Sequence, residues 1–320
     1  MKAVAFDRYG PPEVLRPMTL TVPEPGAGEV LVRVCATSVN PLDWKIRARR
    51  SRIRPKTGMP RVLGFDLSGV VEQVGPEVKV VHAGEAVYGL IDYRRDGADA
   101  EYVRTREAFL YPKPAALSHE EAAALPLAGL TALQALRLLA RMREGERVLV
   151  IGATGGVGHL AVQIAKAYGA RVAAVCAAAH AETVRGLGAE DVFPYDAGDV
   201  PEAERFDIVF DTVKARSDAW ARRRLNPKGR YVSTEPDLAG LFRARLLKLV
   251  GVRARCRVVV VMPDRHGLKY LGELVERGAL RPVVQRVYPL EELAEAHRVS
   301  EAGHVVGKLV VKVADESGPG

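Results

Sequence analysis

Residues 148–176 read VLVIGATGGVGHLAVQIAKAYGARVAAVC. An apolar run over 148–151 enters Gly152, Ala153, Thr154, Gly155, Gly156, Val157 and Gly158, and a helical pattern with apolar Leu160, Ala161, Ile164 and Ala165 follows. Glycines omit the Cβ where a backbone must approach a pyrophosphate, and the head of the following helix offers free N–H groups and partial positive charge. Strand, glycine turn, helix and second strand in that order predict a dinucleotide cradle at Ala153, Thr154, Gly155, Gly156, Val157 and Gly158.

Outward from this stretch the texture continues. FDIVFD, GRYVS and RVVVVM read as further strands, with helical patterns over 157–168 and 181–187. Strands alternating with helices predict parallel βαβ units and a doubly wound sheet. Before about residue 120, the runs VLVRVCATSV, LSGVVEQV, AVYGL and AEYV are divided by Gly and Pro turns and read as a β domain. After the α/β region, VVQRVYPL, a helix over about 291–300 and the strand GKLVVKV predict a return to that first domain, ahead of a frayed tail, DESGPG. The expected division is 1–122 for the first part of the β domain, 123–286 for the dinucleotide-binding domain, and 287–320 for the return and tail.

The 320 residues are 48% apolar and 27% charged, which excludes a disordered, collagen-like or disulfide-dense chain. No apolar stretch approaches the ~20 residues of a bilayer span. The start, MKAVAFDRYG, reaches Asp7 before any apolar region of signal length, so the expected location is the cytoplasm. Cys35, Cys176 and Cys256 form no CxxC pair, and the histidines show neither metal spacing nor a nucleophile partner. Lys plus Arg number 47 against 39 acids, a formal charge of +8. The basic run Lys45, Arg47, Arg49, Arg50, Arg52, Arg54 and Lys56 lacks interleaved aromatics, so it reads as a solvated loop rather than a nucleic-acid surface.

Cofactor choice is read at the end of the second strand, where an Asp or Glu accepts from the ribose 2′-hydroxyl of NAD and repels the 2′-phosphate of NADP. The sequence there is Cys176, Ala177, Ala178, Ala179, His180, with no acid before Glu182. This favours NADPH over NADH, with His180, Arg185 and Tyr195 as candidate phosphate partners. Asp211, Thr212 and Val213 end a later strand, and Tyr231 and Ser233 end the next. Strand C-termini line the ligand crevice of an open parallel sheet, so all five are candidate cofactor residues.

KAVAF with YGPPEVL, PEPGAGEVLVRV, NPLDWKIR from Asn40, VLGFDLSGVVEQVG from Val62, AEYV, LPLAGLTALQAL from Leu125, the ATGGVG loop, FDIVFDTV, GRYVS and GKLVVKV follow one another in a fixed order. In these motifs the chain resembles the medium-chain dehydrogenase/reductase superfamily, in its zinc-independent quinone oxidoreductase-like branch. The resemblance implies an α/β chain with a GroES-like β-barrel catalytic domain around an inserted Rossmann domain, and an active-site cleft between them. It implies that Asn40 and Asp43 face the nicotinamide, with Lys45 near the mouth and Thr131 beside the nicotinamide and phosphates. Asp43 as a helix cap and Thr131 as a helix-interior residue are the plain alternatives. Zinc-containing members carry a GHE motif whose His binds the metal. Here the matching residues are Gly64, Phe65 and Asp66, so no zinc is expected.

Without a Lewis acid to help remove a hydroxyl proton, activated acceptors are the expected substrates. The expected function is NADPH-dependent hydride transfer to a quinone or α,β-unsaturated carbonyl, with Tyr93 as a candidate proton donor or stacking residue. A metal-free alcohol dehydrogenase and a non-catalytic nucleotide- or RNA-binding protein are the alternatives. A homodimer is expected through the Rossmann domain, because RVVVVM would leave an apolar sheet edge.

Overall fold

Before residue 115 the chain forms eight strands among the described residues, the valine-rich runs among them: β1 (Lys2–Phe6), β2 (Arg16–Thr19), β3 (Glu29–Val39), β4 (Arg61–Val62), β5 (Asp66–Val74), β6 (Ala86–Leu90), β7 (Tyr102–Arg106) and β8 (Leu110–Pro112). The structure, a computed structural model, describes residues 1–51, 53, 56–235 and 256–315. β2, β1 and β4 form a small antiparallel sheet. β3 is the spine of the larger sheet: it pairs antiparallel with β5 along most of its length and with β7 at its start. It is buried at nearly every position because both faces are covered, which explains its near-continuous apolar run.

The second half supplies β9 (Arg147–Ile151), β10 (Arg171–Cys176), β11 (Asp191–Pro194), β12 (Phe206–Asp211), β13 (Leu225–Ser233) and β14 (Cys256–Val258), all parallel, in the order β11-β10-β9-β12-β13-β14. This is the doubly wound Rossmann order, with its switch point between β9 and β12. Leu149, Ile151, Val175, Phe206, Val209 and Trp220 lie in the buried core on one side. The strand expected over 257–262 is shorter than its apolar run. Val259 N–H still donates to Ser233 O at 2.9 Å, but Pro263 has no N–H with which to extend the ladder.

β15 (Val284–Pro289) and β16 (Lys308–Lys312) return to the β unit, where Leu309–Lys312 pair antiparallel with Ala36–Val39 of β3. The two compact units are Met1–Leu130 with Met262–Gly320, and Thr131–Val261. The helix Arg265–Glu276 therefore groups with the first unit, where Tyr88 Oη donates to Leu268 O at 2.5 Å and Leu271 packs over Gly129. The expected tail falls largely on 316–320, outside the described residues. Among the described residues no helix is long and apolar enough to cross a membrane.

Candidate functional site

In the Rossmann unit, β9 ends at Ile151 and the chain turns through Gly152, whose φ of +78° lies in the left-handed region. Gly152 and Ala153 both donate to Val175 O, at 3.1 and 3.0 Å, which ties the turn to β10. A Cβ on Gly152 would meet Thr212 Oγ1 and Val213 Cγ1 at 2.8 Å, and one on Gly158 would drive into the Gly152 carbonyl. Strand end and helix head thus touch backbone to backbone. Gly155 differs: the one atom its Cβ would approach is Gly152 O, at 3.4 Å. Thr154, Gly155, Gly156 and Val157 are partly exposed above the ten-residue helix Gly158–Ala167. Open space over a glycine at the head of a helix fits a pyrophosphate.

The remaining residues expected here separate into two groups. Thr212 donates its hydroxyl to Ile151 O at 2.8 Å and Val213 is 56% exposed, so both sit on the rim beside the glycine turn. Asp211 is fully buried and accepts from the N–H groups of Val213, Ala215 and Arg216 at 3.0–3.2 Å, and from Tyr231 Oη at 3.2 Å. Tyr231 is buried as well, and burial followed by the neighbouring Asp211 raises its hydroxyl pKa well above the usual tyrosine value. This pair shapes the turn after β12 and presents no free group at the rim. Ser233 is buried and bonds Glu235, and Thr131 is buried in the helix Pro126–Leu133.

At the end of β10, Tyr195 is exposed, His180 is half-buried and Arg185 pairs with Glu182 at 2.5 Å. Sequence reasoning missed Asp196. Its Oδ1 accepts from the Ala178 N–H at 2.9 Å, which brings an acid to the strand end that seemed to have none. The signal was PYD, at the end of the strand that pairs with β10 and just past it, with Asp196 eighteen residues beyond Ala178.

In the β unit, Asn40 precedes the helix Pro41–Arg47, and its N–H donates to Asp43 Oδ2 at 2.6 Å, so Asp43 does cap that helix. The Asn40 side chain is fully committed. Nδ2 donates to Asp66 Oδ2 at 2.8 Å and to Ser38 O at 3.2 Å, and Oδ1 accepts from Lys308 Nζ. Asp66 also accepts from Ser38 Oγ at 2.5 Å and Leu127 N–H at 2.6 Å, and pairs with Lys308 at 3.3 Å. Asp43, Asp66, Lys308 and Asp99 are all buried. Burial, opposed by the Asn40 N–H and reinforced by the charge of Asp66, pushes the Asp43 carboxyl up to about 7. Burial and the neighbouring Asp43 raise Asp99 well above the usual range. Among the described residues, Asp43 Oδ1 and Asp99 Oδ2 have no hydrogen-bond partner.

Lys45 lies over the Trp44 ring at 5.5 Å. Tyr93 stands edge-on to the buried Phe65 ring, with centroids 6.2 Å apart, and its hydroxyl donates to Met262 Sδ at 3.6 Å. The position matched to a zinc-binding His is thus an aromatic packed in the core. Cys35 is buried in β3, and Asp66 is held by Lys308 and neutral donors. These donors do not fit a catalytic zinc, and among the described residues no three His, Cys, Asp or Glu side chains converge to hold a metal.

The basic run is not uniformly solvated. Arg47 is fully buried, donating to Gly10 O at 2.7 Å and His297 Nδ1 at 3.3 Å and pairing with Glu301. Burial lowers its pKa to about 10, and burial with the adjacent Arg47 lowers His297 to about 3. Arg49 lies over the Tyr9 ring, whereas Arg52 and Arg54 fall outside the described residues. A buried cation is a packing element, which the charge pattern could not distinguish from its exposed neighbours.

Residues 26–115 match the alcohol dehydrogenase GroES-like domain and residues 187–311 the zinc-binding dehydrogenase family. The chain is 34% identical to the NAD(P)H oxidoreductase RTN4IP1, mitochondrial, of Mus musculus, over 98% of this chain and 89% of that protein. It is 31% identical to a chloroplast envelope quinone oxidoreductase homolog of Arabidopsis thaliana, over 98% of each. The quinone oxidoreductase structure from Coxiella burnetii superposes with a TM-score of 0.88 at 34% identity, over 98% of this chain and 99% of that one. Coverage at this identity spans both units, so the chain belongs to the medium-chain dehydrogenase/reductase superfamily, in its quinone oxidoreductase-like branch, as an NAD(P)H-dependent oxidoreductase.

Proposed function

We propose that this protein reduces a quinone or an α,β-unsaturated carbonyl without zinc. The observation that carries the reading is the open backbone over Gly155 at the head of the helix Gly158–Ala167. A bound nicotinamide dinucleotide supplies hydride. The backbone of Thr154, Gly155, Gly156 and Val157 holds its pyrophosphate, and Thr212 and Val213 border it. Activated acceptors suit a site that positions reactants and carries no metal donor set. Names of relatives agree in class: one is an NADPH-dependent alkenal/one oxidoreductase of Arabidopsis thaliana, 32% identical over 97% of this chain.

Asn40 and Asp43 act in this reading as positioning residues, because their polar atoms are turned into the buried network of Asp66 and Lys308. Lys45 and Tyr93 are the partly exposed groups left to meet the substrate. The expectation of NADPH rests on there being no acid at the end of β10. Asp196 removes that premise, so the reading here is NAD(P)H.

Oxidation of NADH and NADPH against quinones, enones, aldehydes and simple alcohols, with a chelator present, tests the proposal. Quinones or enones should turn over and simple alcohols should not. Gly155→Ala places a methyl group in the cradle with ordinary space around it. It should keep the wild-type Tm while raising the dinucleotide Kd at least about tenfold, since the backbone can no longer approach the phosphates. An unchanged Kd would remove the cradle.

We also propose a homodimer through the edge of the Rossmann sheet. β14 ends that sheet among the described residues, and Val260 and Met262 just beyond it are 71% and 56% exposed. Light scattering at micromolar concentration should give twice the chain mass, and a monomer would contradict it.

A further inference from the structure

β10 and β11 run parallel, with Cys176 opposite Pro194. One step further, Tyr195 N–H donates to Cys176 O at 3.0 Å, and the next side chain, Asp196, bends back so that Oδ1 accepts from the Ala178 N–H at 2.9 Å. The acid is therefore anchored to the segment in which a Rossmann fold reads the adenosine ribose. The residues directly after β10 contribute no side chain to that reading: Ala177, Ala178 and Ala179 have no side-chain group for a hydroxyl or a phosphate. Asp196 is exposed, and among the described residues Oδ2 makes no hydrogen bond, leaving it free to accept one.

The surrounding charges bear on the same point. Arg185 is the nearby cation that could receive a 2′-phosphate, and its guanidinium is paired with Glu182 at 2.5 Å. His180 is half-buried. The Cys176 thiol registers both charges: burial raises it most, Asp196 raises it further and Arg185 lowers it.

We infer that Asp196, delivered from the turn after the neighbouring strand, selects the cofactor by accepting from the ribose 2′-hydroxyl and repelling a 2′-phosphate, so that this protein binds NADH more tightly than NADPH. The inference rests on the dinucleotide reading above and reverses the preference expected from the sequence. A 2′-phosphate brings between one and two negative charges at neutral pH to a carboxylate whose nearby cation, Arg185, is paired with Glu182. The 2′-hydroxyl brings a donor to a charged acceptor. Both effects favour the unphosphorylated cofactor, and the repulsive one weakens with salt because the group is exposed.

The test is direct titration of NADH and NADPH, without substrate, into the wild-type protein and into Asp196→Asn, at low and at 0.5 M salt. The asparagine keeps an oxygen for the Ala178 N–H and removes the charge. Wild-type protein should bind NADH at least about tenfold more tightly at low salt. Asp196→Asn should reduce that ratio by about tenfold, chiefly by tightening NADPH, and high salt should reduce it in the wild type alone. A wild-type preference for NADPH, or a ratio that Asp196→Asn leaves unchanged, overturns the inference while the cradle stands. Failure of both cofactors to bind wild-type protein overturns the cradle itself, and this inference with it.

Discussion

Lys308→Met is expected to destabilise the protein by about 3–5 kcal/mol, read as a fall in unfolding free energy in urea. Lys308 is 3% exposed on β16, and its ammonium is the one cation placed against the fully buried Asp66, at 3.3 Å among the described residues. Methionine fills a similar volume but leaves the carboxylate with Ser38 Oγ, Asn40 Nδ2 and Leu127 N–H as its donors. Neutral donors solvate a buried charge only in part. Asn40 Oδ1 would lose its donor as well, loosening the entry to the helix Pro41–Arg47. Adding Asp66→Asn to Lys308→Met should recover part of the loss, because it removes the orphaned charge. A double variant no more stable than the single one would show that Asp66 is not what Lys308 compensates.

The second large effect is a dependence of stability on pH that runs opposite to ordinary acid denaturation. In the unfolded chain Asp43 loses its proton near 3.8, whereas burial holds it in the folded state up to about 7. Between those values the folded protein binds more protons, so its stability falls as pH rises, and the contribution levels off above about 7. At 1.36 kcal/mol per pKa unit the Asp43 contribution reaches on the order of 4 kcal/mol. Asp99 shifts in the same direction. Urea unfolding of the wild type and of Asp43→Asn at several values from pH 4 to 8 checks this. Asparagine still offers an oxygen to the Asn40 N–H, so the variant should gain on the wild type steadily up to about pH 7. A constant difference across that range would mean that Asp43 stays ionised when folded.

What was legible in the sequence was local. The glycine turn, its flanking strand and helix, and the valine-rich runs of β3, β5 and β12 carry their own conformational instructions within a few residues, and they fold as read. The Asn40–Asp43 cap is equally local, at three residues' separation. What escaped was set by tertiary approach. Lys308 and Asp66 lie 242 positions apart, so no spacing rule joins NPLDWKIR to GKLVVKV. Asp196 lies in the turn after β11 but acts on the end of β10, and scanning one strand for an acid cannot find it. Arg47 is buried inside a run of exposed-looking cations because His297 and Glu301 come from a distant helix. Asp211 ends β12 and Tyr231 lies two residues before the end of β13, yet their side chains bond each other.

The pairing of β3 with β16 also imposes an order on biosynthesis. On the ribosome, Glu29–Ala36 of β3 find β5 and β7 soon after they emerge, but Leu309–Lys312, the partner of Ala36–Val39, is translated about 270 residues later. At about 5–20 residues per second, the nascent chain spends on the order of tens of seconds with that strand edge bare and Asp66 without its lysine. The Rossmann unit is one uninterrupted segment, 131–261, and emerges complete within that interval. The inserted unit can therefore mature first, while the host unit waits with an open seam that β16 closes.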